Sequence, residues 1–245
     1  MPRYFIEVAY MGTNYAGFQV QENANTIQAE VEKALSIYFK DQFCLTGSSR
    51  TDAGVHAKQN FFHFDTEKMG GFADFKKPIY HLNAILPKDI VIVSIRPVNI
   101  NAHCRFDAIS RTYEYTIYQS KDPFLQGRAF FYPYKLDIEM LQQLATELKS
   151  HSEFEAFSKR STQVHTFRCI IYASSWFLGD GFLVYRVCGS RFLRGMVKGL
   201  VGTMLRCGSR VDGLDHFRKI ILSGDSSLVD FSVPGYGLKL VEVRY

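Results

Sequence analysis

The sequence predicts an α+β protein of two similar subdomains, each a largely antiparallel sheet with helices on one face. Three observations carry that reading. Thr112, Glu114 and Thr116 alternate with Tyr113, Tyr115 and Ile117, the period of two of a half-buried strand. Segments 26–39 and 137–149 instead space their apolar residues along one face of a helix. Both halves mix strands and helices without the strict βαβ alternation of a parallel sheet.

Residues 3–10 alternate as a strand, and Met11, Gly12, Thr13 and Asn14 supply a turn. Asn25 is placed to cap a helix whose stripe is Ile27, Val31, Ala34, Leu35 and Tyr38. Residues 59–65 and the β-branched run 90–95 read as strands. After the strand at 112–118, Asp137 caps a helix with Leu141, Leu144, Ala145 and Leu148 inward. Strands at 170–178 and 182–188 flank Gly179-Asp180-Gly181, a hairpin signal. Helices at 191–206 and 214–222 precede a last strand at 238–244. The boundary is expected in Asn99 to Arg105, giving subdomains 1–105 and 106–245.

The 245 residues are 47% hydrophobic and 22% charged, long enough for a real core and too balanced for a coiled coil, collagen or a disordered tail. No apolar run approaches the ~20 residues that span a bilayer. The start, MPRYFIEVAY, has neither a signal-peptide core nor a cleavage site, so a cytoplasmic location is expected. Cysteines 44, 104, 169, 188 and 207 are odd in number and form no C-x-x-C pair. That argues for buried free thiols rather than a disulfide framework or zinc knuckle. The net charge of +5 permits a polyanionic partner without demanding one.

Three segments carry possible chemistry. Gly47 to His56 reads GSSRTDAGVH, where glycines and small residues let the backbone bend sharply and a ligand approach closely. Arg50 and Asp52 are two apart and face one side if the segment is extended; taken alone, Asp-Ala-Gly is commonly just a turn. His56 follows Asp52 by four, a metal-compatible spacing with no third ligand nearby. Arg111 to Tyr115 places Tyr113 and Tyr115 on one strand face, as core residues or as a platform for a base. Gly189 to Gly202 would set Arg191, Arg194 and Lys198 near one side of a helix, as a solvated face or a phosphate track. It lacks the G-K-[ST] ending of a P-loop.

Together these segments resemble the tRNA pseudouridine synthase A family, nearly end to end. Residues 10–21, YMGTNYAGFQVQ, are similar to its Y-D-G-T-x-Y-x-G-F-Q-x-Q opening, and residues 50–57, RTDAGVHA, to its signature. Asn83 to Ile90 resembles N-x-x-L-P-x-D-I, and His103 to Phe106 resembles H-A-R-F. Phe192 to Gly202 resembles F-L-x-x-M-V-R-x-x-V-G, and Gly237 to Leu240 resembles G-L-x-L. Departures are Met11 for Asp, Ser49 for Gly, Cys104 for Ala and Lys198 for Arg.

The resemblance implies an isomerase that converts uridine to pseudouridine in a cleft between the subdomains, with no cofactor and no metal. It makes Asp52 the nucleophile, Arg50 the residue holding the nucleotide out of its stack, and Tyr113 the one packing against the base. Lys198 inherits the role of the cation beside the carboxylate; it keeps the charge but loses the planar two-bond fork of Arg. Arg194 is the substitute partner. Ser49 fits the pattern only with a negative φ or with its strain compensated. The implied partners are the anticodon arm of tRNA, at positions 38 to 40, and a second copy of the chain in a homodimer. Lys58, Lys159, Arg160, Arg168, Arg191 and Arg194 are available to phosphates. The alternatives are an inactive RNA-binding or RNA-chaperone protein on this scaffold, and a hydrolase pairing Asp52 with Glu114. The intact signature argues against the first, and the alternation that points Glu114 away from Tyr113 argues against the second.

Overall fold

The computed structural model describes residues 1–72, 74–159, 166–179 and 181–245. The chain divides into two units, Met1–Ile109 with Leu240–Tyr245, and Ser110–Lys239. The division thus falls after Ile109, and the last six residues, placed with the second subdomain on sequence, pack with the first.

The first unit holds β1 (Arg3–Tyr10), α1 (Ile27–Phe39), β2 (Thr46–Gly47), β3 (His56–Asp65), α2 (Lys76–Ile85) and β4 (Ile90–Val98). Antiparallel β1 lies between β4 and β3, with Ile6 opposite both Ile95 and Phe62. Beyond β3 comes β9 (Leu238–Arg244), whose Val243 amide donates to Gln59 Oε1 at 2.9 Å. That long-range pairing returns the C-terminus to this unit. Tyr4, Ile6, Val8 and Tyr10 are buried on one face of β1. On the other face Phe5 packs against Tyr245, their ring centres 5.3 Å apart. Ile27, Val31, Ala34 and Leu35 of α1 are buried as their helical spacing predicts, while Tyr38 is half-buried.

The α1 cap differs from expectation. Thr26, not Asn25, accepts the Ala29 amide at 3.3 Å, because the helix begins one residue later than expected, at Ile27. Helix α2 was not expected. Phe75 precedes it without a side-chain cap, the Lys76 amide going instead to Asp74 Oδ1 at 3.0 Å. The capping-type residue thus stands one place upstream of the usual position, and Pro78 sits in the first turn, where its missing N–H costs nothing.

The second unit holds β5 (Ser110–Tyr118), β6 (Phe130–Phe131), α3 (Ile138–Glu147), β7 (Ile171–Gly179), β8 (Phe182–Gly189), α4 (Met196–Cys207) and α5 (Gly213–Ser223). Here β8 pairs antiparallel with both β5 and β7, and β6 pairs parallel with β5. Asp137 caps α3 by accepting the Met140 amide at 2.9 Å. Asp180 of the expected hairpin turn lies outside the described residues.

Helix α4 corrects the sequence reading. It starts at Met196 rather than 191, because Gly195 at its N-cap takes a left-handed φ of 73°. Arg191 and Arg194 therefore precede the helix instead of sharing a face with Lys198. Farther along, a Cβ on Gly202 would stand 2.3 Å from the Asp230 carbonyl oxygen, so the helix lies directly against that backbone.

Candidate active site

The signature loop runs from β2 into β3, and side chains from distant segments fix its course. The Ser48 amide donates to the Phe61 carbonyl at 2.8 Å. Asn60, fully buried on β3, donates through Nδ2 to the Ser49 carbonyl at 2.9 Å and to the Tyr10 hydroxyl at 3.2 Å. The Tyr10 hydroxyl in turn lies 2.8 Å from Thr51 Oγ1. The Thr51 carbonyl accepts the Phe18 amide at 3.1 Å, and Val55 N–H closes a turn onto the Asp52 carbonyl at 3.2 Å. His56 Nδ1 accepts the Gly12 amide at 2.9 Å, which gives this buried histidine a structural duty. Gly12 can be nothing larger: a Cβ there would stand 2.0 Å from the Val55 carbonyl oxygen.

Thr51 is thus held inward, while its neighbours Arg50 and Asp52 are exposed and half-buried. Among the described residues of its unit, none hydrogen-bonds or ion-pairs with the Asp52 carboxylate. A carboxylate on a fixed backbone, with its oxygens uncommitted locally, is suited to nucleophilic or general-base work.

Other motif residues brace this loop rather than face a ligand. The Tyr15 hydroxyl donates to Asp89 at 2.6 Å, joining the opening motif to the N-x-x-L-P-x-D-I segment. Burial, then that bond, pushes the phenol pKa up. Asn83 reads the Ile92 backbone twice, at 2.7 and 2.9 Å. Ser49 is buried and is not among the residues with positive φ, so it satisfies the condition set for its replacement of Gly.

Arg50 also lines a pocket of about 180 Å³ with Gln19, Thr46, His103, Arg105 and Phe106. Sequence reasoning gave Arg105 and Phe106 no separate role. Behind the pocket, His63, His103 and Cys104 bring their ligand-type atoms within 4.8 Å of one another, the one such trio among the described residues. Its atoms are already engaged: Cys104 Sγ donates to the Thr46 carbonyl and lies 3.1 Å from His63 Nδ1. Burial, then the neighbouring His103 and Arg3, lowers the His63 pKa to about 4. Of the five free thiols, Cys44 is exposed and Cys188 half-buried, so burial holds only for 104, 169 and 207.

In the second unit Tyr113 is buried on β5, its ring edge-on to Phe192 at 5.2 Å. Tyr115, on the same strand face, is core: it is wholly buried and donates to the Pro234 carbonyl at 2.9 Å. Glu114 is occupied by Lys239 at 3.1 Å and Arg186 at 3.8 Å, which removes it as a free acid. Lys198 is half-buried in the first turn of α4. Lys159 and Arg194 come together, the Lys159 amide donating to the Arg194 carbonyl at 3.1 Å. The Lys159 ammonium also lies 5.7 Å from the Phe231 ring centre. Arg191 is half-buried, Arg168 and, in the first unit, Lys58 are exposed, and Arg160 lies outside the described residues.

Residues 6–107 and 145–245 match the model of a family described as tRNA pseudouridine synthase. A tRNA pseudouridine synthase A of Parabacteroides distasonis is 40% identical, over 100% of this chain and 96% of its own. One from Porphyromonas gingivalis is 40% identical over 100% of this chain and 98% of its own. One from Staphylococcus aureus is 34% identical over 98% and 90%. The matches span both the signature loop and the segment bearing Lys198, and on them the chain belongs to the tRNA pseudouridine synthase family of isomerases.

Proposed function

We propose that this chain isomerises uridines at positions 38, 39 or 40 in the anticodon arm of tRNA, with Asp52 as the nucleophile. The observation that carries the proposal is the braced loop, which spends Ser49, Thr51 and His56 on architecture and leaves the Asp52 carboxylate uncommitted within its unit. The reaction is redox-neutral. The N1–C1′ bond breaks, the uracil turns, a C5–C1′ bond forms, and the hydrogen on C5 is replaced by one on N1. It needs no cofactor or metal.

A uridine within a stacked stem must first leave the stack, at a cost of a few kcal/mol. Arg50, exposed beside the nucleophile, fills the gap, and Tyr113 packs on the extruded base. Asp52 must be ionised to attack, while enclosure by RNA favours its neutral form. The Lys198 ammonium counters that by stabilising the carboxylate. Lys58, Lys159, Arg160, Arg168, Arg191 and Arg194 take up backbone phosphates. The chain works as a homodimer in the cytoplasm, where two +5 protomers double the field acting on one tRNA. No helix of the described residues is long and apolar enough to cross a membrane. Incubation with an anticodon stem–loop carrying uridines at all three positions, followed by pseudouridine mapping, tests the assignment: product at one or more of them is expected. Product only elsewhere in a full-length tRNA would overturn it.

A further inference from the structure

The pocket beside Arg50 has a feature that the isomerisation of one uridine leaves unused. Phe106 is 72% exposed, yet the turn carrying it is tightly fixed. The His103 amide donates to Asp107 Oδ2 at 2.7 Å, and the Asp107 amide returns to the His103 carbonyl at 3.0 Å. His103 Nδ1 faces the amides of Arg105 and Phe106 at 3.1 and 3.4 Å. The Tyr245 hydroxyl holds the Cys104 carbonyl at 2.8 Å. On this support the His103 ring backs the Phe106 ring at 4.2 Å, and the Arg105 guanidinium lies 5.5 Å from its centre. A large aromatic held rigidly in water is a stacking platform prepared before its ligand arrives.

Size and charge narrow the ligand. About 180 Å³ is below the ~300 Å³ at which pockets for whole small molecules begin, and takes one flat ring or one phosphate. Arg50 and Arg105 line it and no Asp or Glu does, so it favours an anion. Arg50 is only two residues from Asp52.

We propose that Arg105 and Phe106, with Arg50, form a second nucleotide subsite that holds an unpaired neighbour of the target uridine. The base stacks on Phe106, and its phosphate sits between the two guanidinium groups. This rests on the reading of Asp52 as the nucleophile and adds a determinant of which RNA segment is presented to it. Because Phe106 touches the flanking nucleotide and not the reacting one, its loss should act on KM more than on kcat.

The test uses anticodon stem–loops carrying 2-aminopurine on either side of the target, titrated with the wild-type chain and the Phe106→Ala, Phe106→Trp and Arg105→Ala variants. Quenching is expected at one flanking position only, lost in Phe106→Ala and kept in Phe106→Trp. Phe106→Ala should raise KM about 5- to 150-fold, the range for one stacked base, with kcat within about threefold. Arg105→Ala should lower the slope of log affinity against log salt by about one phosphate contact. Retained quenching and wild-type KM in both alanine variants would overturn the subsite, as would equal quenching at every position. Failure of the underlying reading looks different: wild-type chain that quenches through Phe106 but makes no pseudouridine keeps the subsite and refutes the isomerase assignment. Binding of an apolar peptide in competition with the stem–loop, unaffected by Arg105→Ala, would also overturn the nucleotide assignment.

Discussion

Asn60→Ala tests the bracing of the signature loop at its most buried point. The side chain donates to the Ser49 carbonyl at 2.9 Å and the Tyr10 hydroxyl at 3.2 Å, and its Oδ1 accepts the Phe61 amide at 2.9 Å. A typical hydrogen bond contributes about 0.5–1.5 kcal/mol net, while stranding a buried partner costs about 1–3 kcal/mol. The Ser49 carbonyl loses its donor in a buried segment, so the stranding figure applies to it and the smaller one to the other two. The sum is a loss of about 2–6 kcal/mol. At roughly 2–4 °C per kcal/mol for a chain of this size, Tm should fall by about 4–24 °C. The functional effect should be separate. With Ser49 and Tyr10 released, the backbone that aims Asp52 gains freedom, and kcat should drop at least about tenfold at temperatures where the variant is folded. Urea unfolding and single-turnover pseudouridine formation give the two numbers. A Tm within 1–2 °C of wild type, or unchanged kcat in a destabilised protein, would refute the claim that this network positions the nucleophile.

Other expectations follow from the same geometry. His63 takes its proton near pH 4 when folded and near its ordinary value of 6.5 when unfolded. The unfolded chain therefore binds more protons between those values, and stability should fall as pH drops from about 6.5 to 4, by on the order of 2–3 kcal/mol from this group. Chemical denaturation across that range checks it, and His63→Gln should flatten the dependence by one proton. Lys198→Met should lower kcat about 10- to 100-fold, and Lys198→Arg should retain most activity. Arg194→Met, on the turn before α4, should weaken RNA binding and leave kcat near wild type; a kcat lowered by Arg194→Met and not by Lys198→Met would reverse the assignment. Gly202→Ala sets a contact of 2.3 Å with the Asp230 carbonyl oxygen against about 1 kcal/mol of helix propensity. The clash should win by about 1–2 kcal/mol in urea unfolding, and a stabilised variant would contradict the close approach.

What the sequence disclosed divides along a physical line. Elements stabilised by local patterning were legible: the α1 stripe, the Asp137 cap, and the alternation of β5 that separates Tyr113 from Glu114. Elements decided by distant contacts were not. The return of β9 to the first unit depends on pairing with β3, which leaves no mark near residue 240. Helix α2 starts after Phe75, which makes no cap, with the Asp74 side chain serving its first amide from one place upstream, and α4 starts late because one glycine takes a left-handed turn. The site shows the same split. Arg50 and Asp52 stand in an ordered motif that reads directly, whereas the hydrogen bonds that hold them run through Tyr10 and Asn60, 50 residues apart in sequence. His103 to Phe106 was visible as a motif, but only the fold reveals that its phenylalanine is presented to solvent on a rigid turn. Its loop glycines were read as bends; Gly12 turned out to be a point of near-contact between chain segments.

The most direct test of the account is pseudouridine formation by Asp52→Asn under single-turnover conditions, with tritium release from 5-labelled uridine as the readout. Asn keeps the shape of the side chain and removes the nucleophilic oxygen anion. The wild-type chain should release tritium and convert the anticodon-arm uridine. The variant should bind the same stem–loop within a few-fold and release none. Tritium release by Asp52→Asn at a rate near wild type would contradict the central claim that this carboxylate carries the reaction.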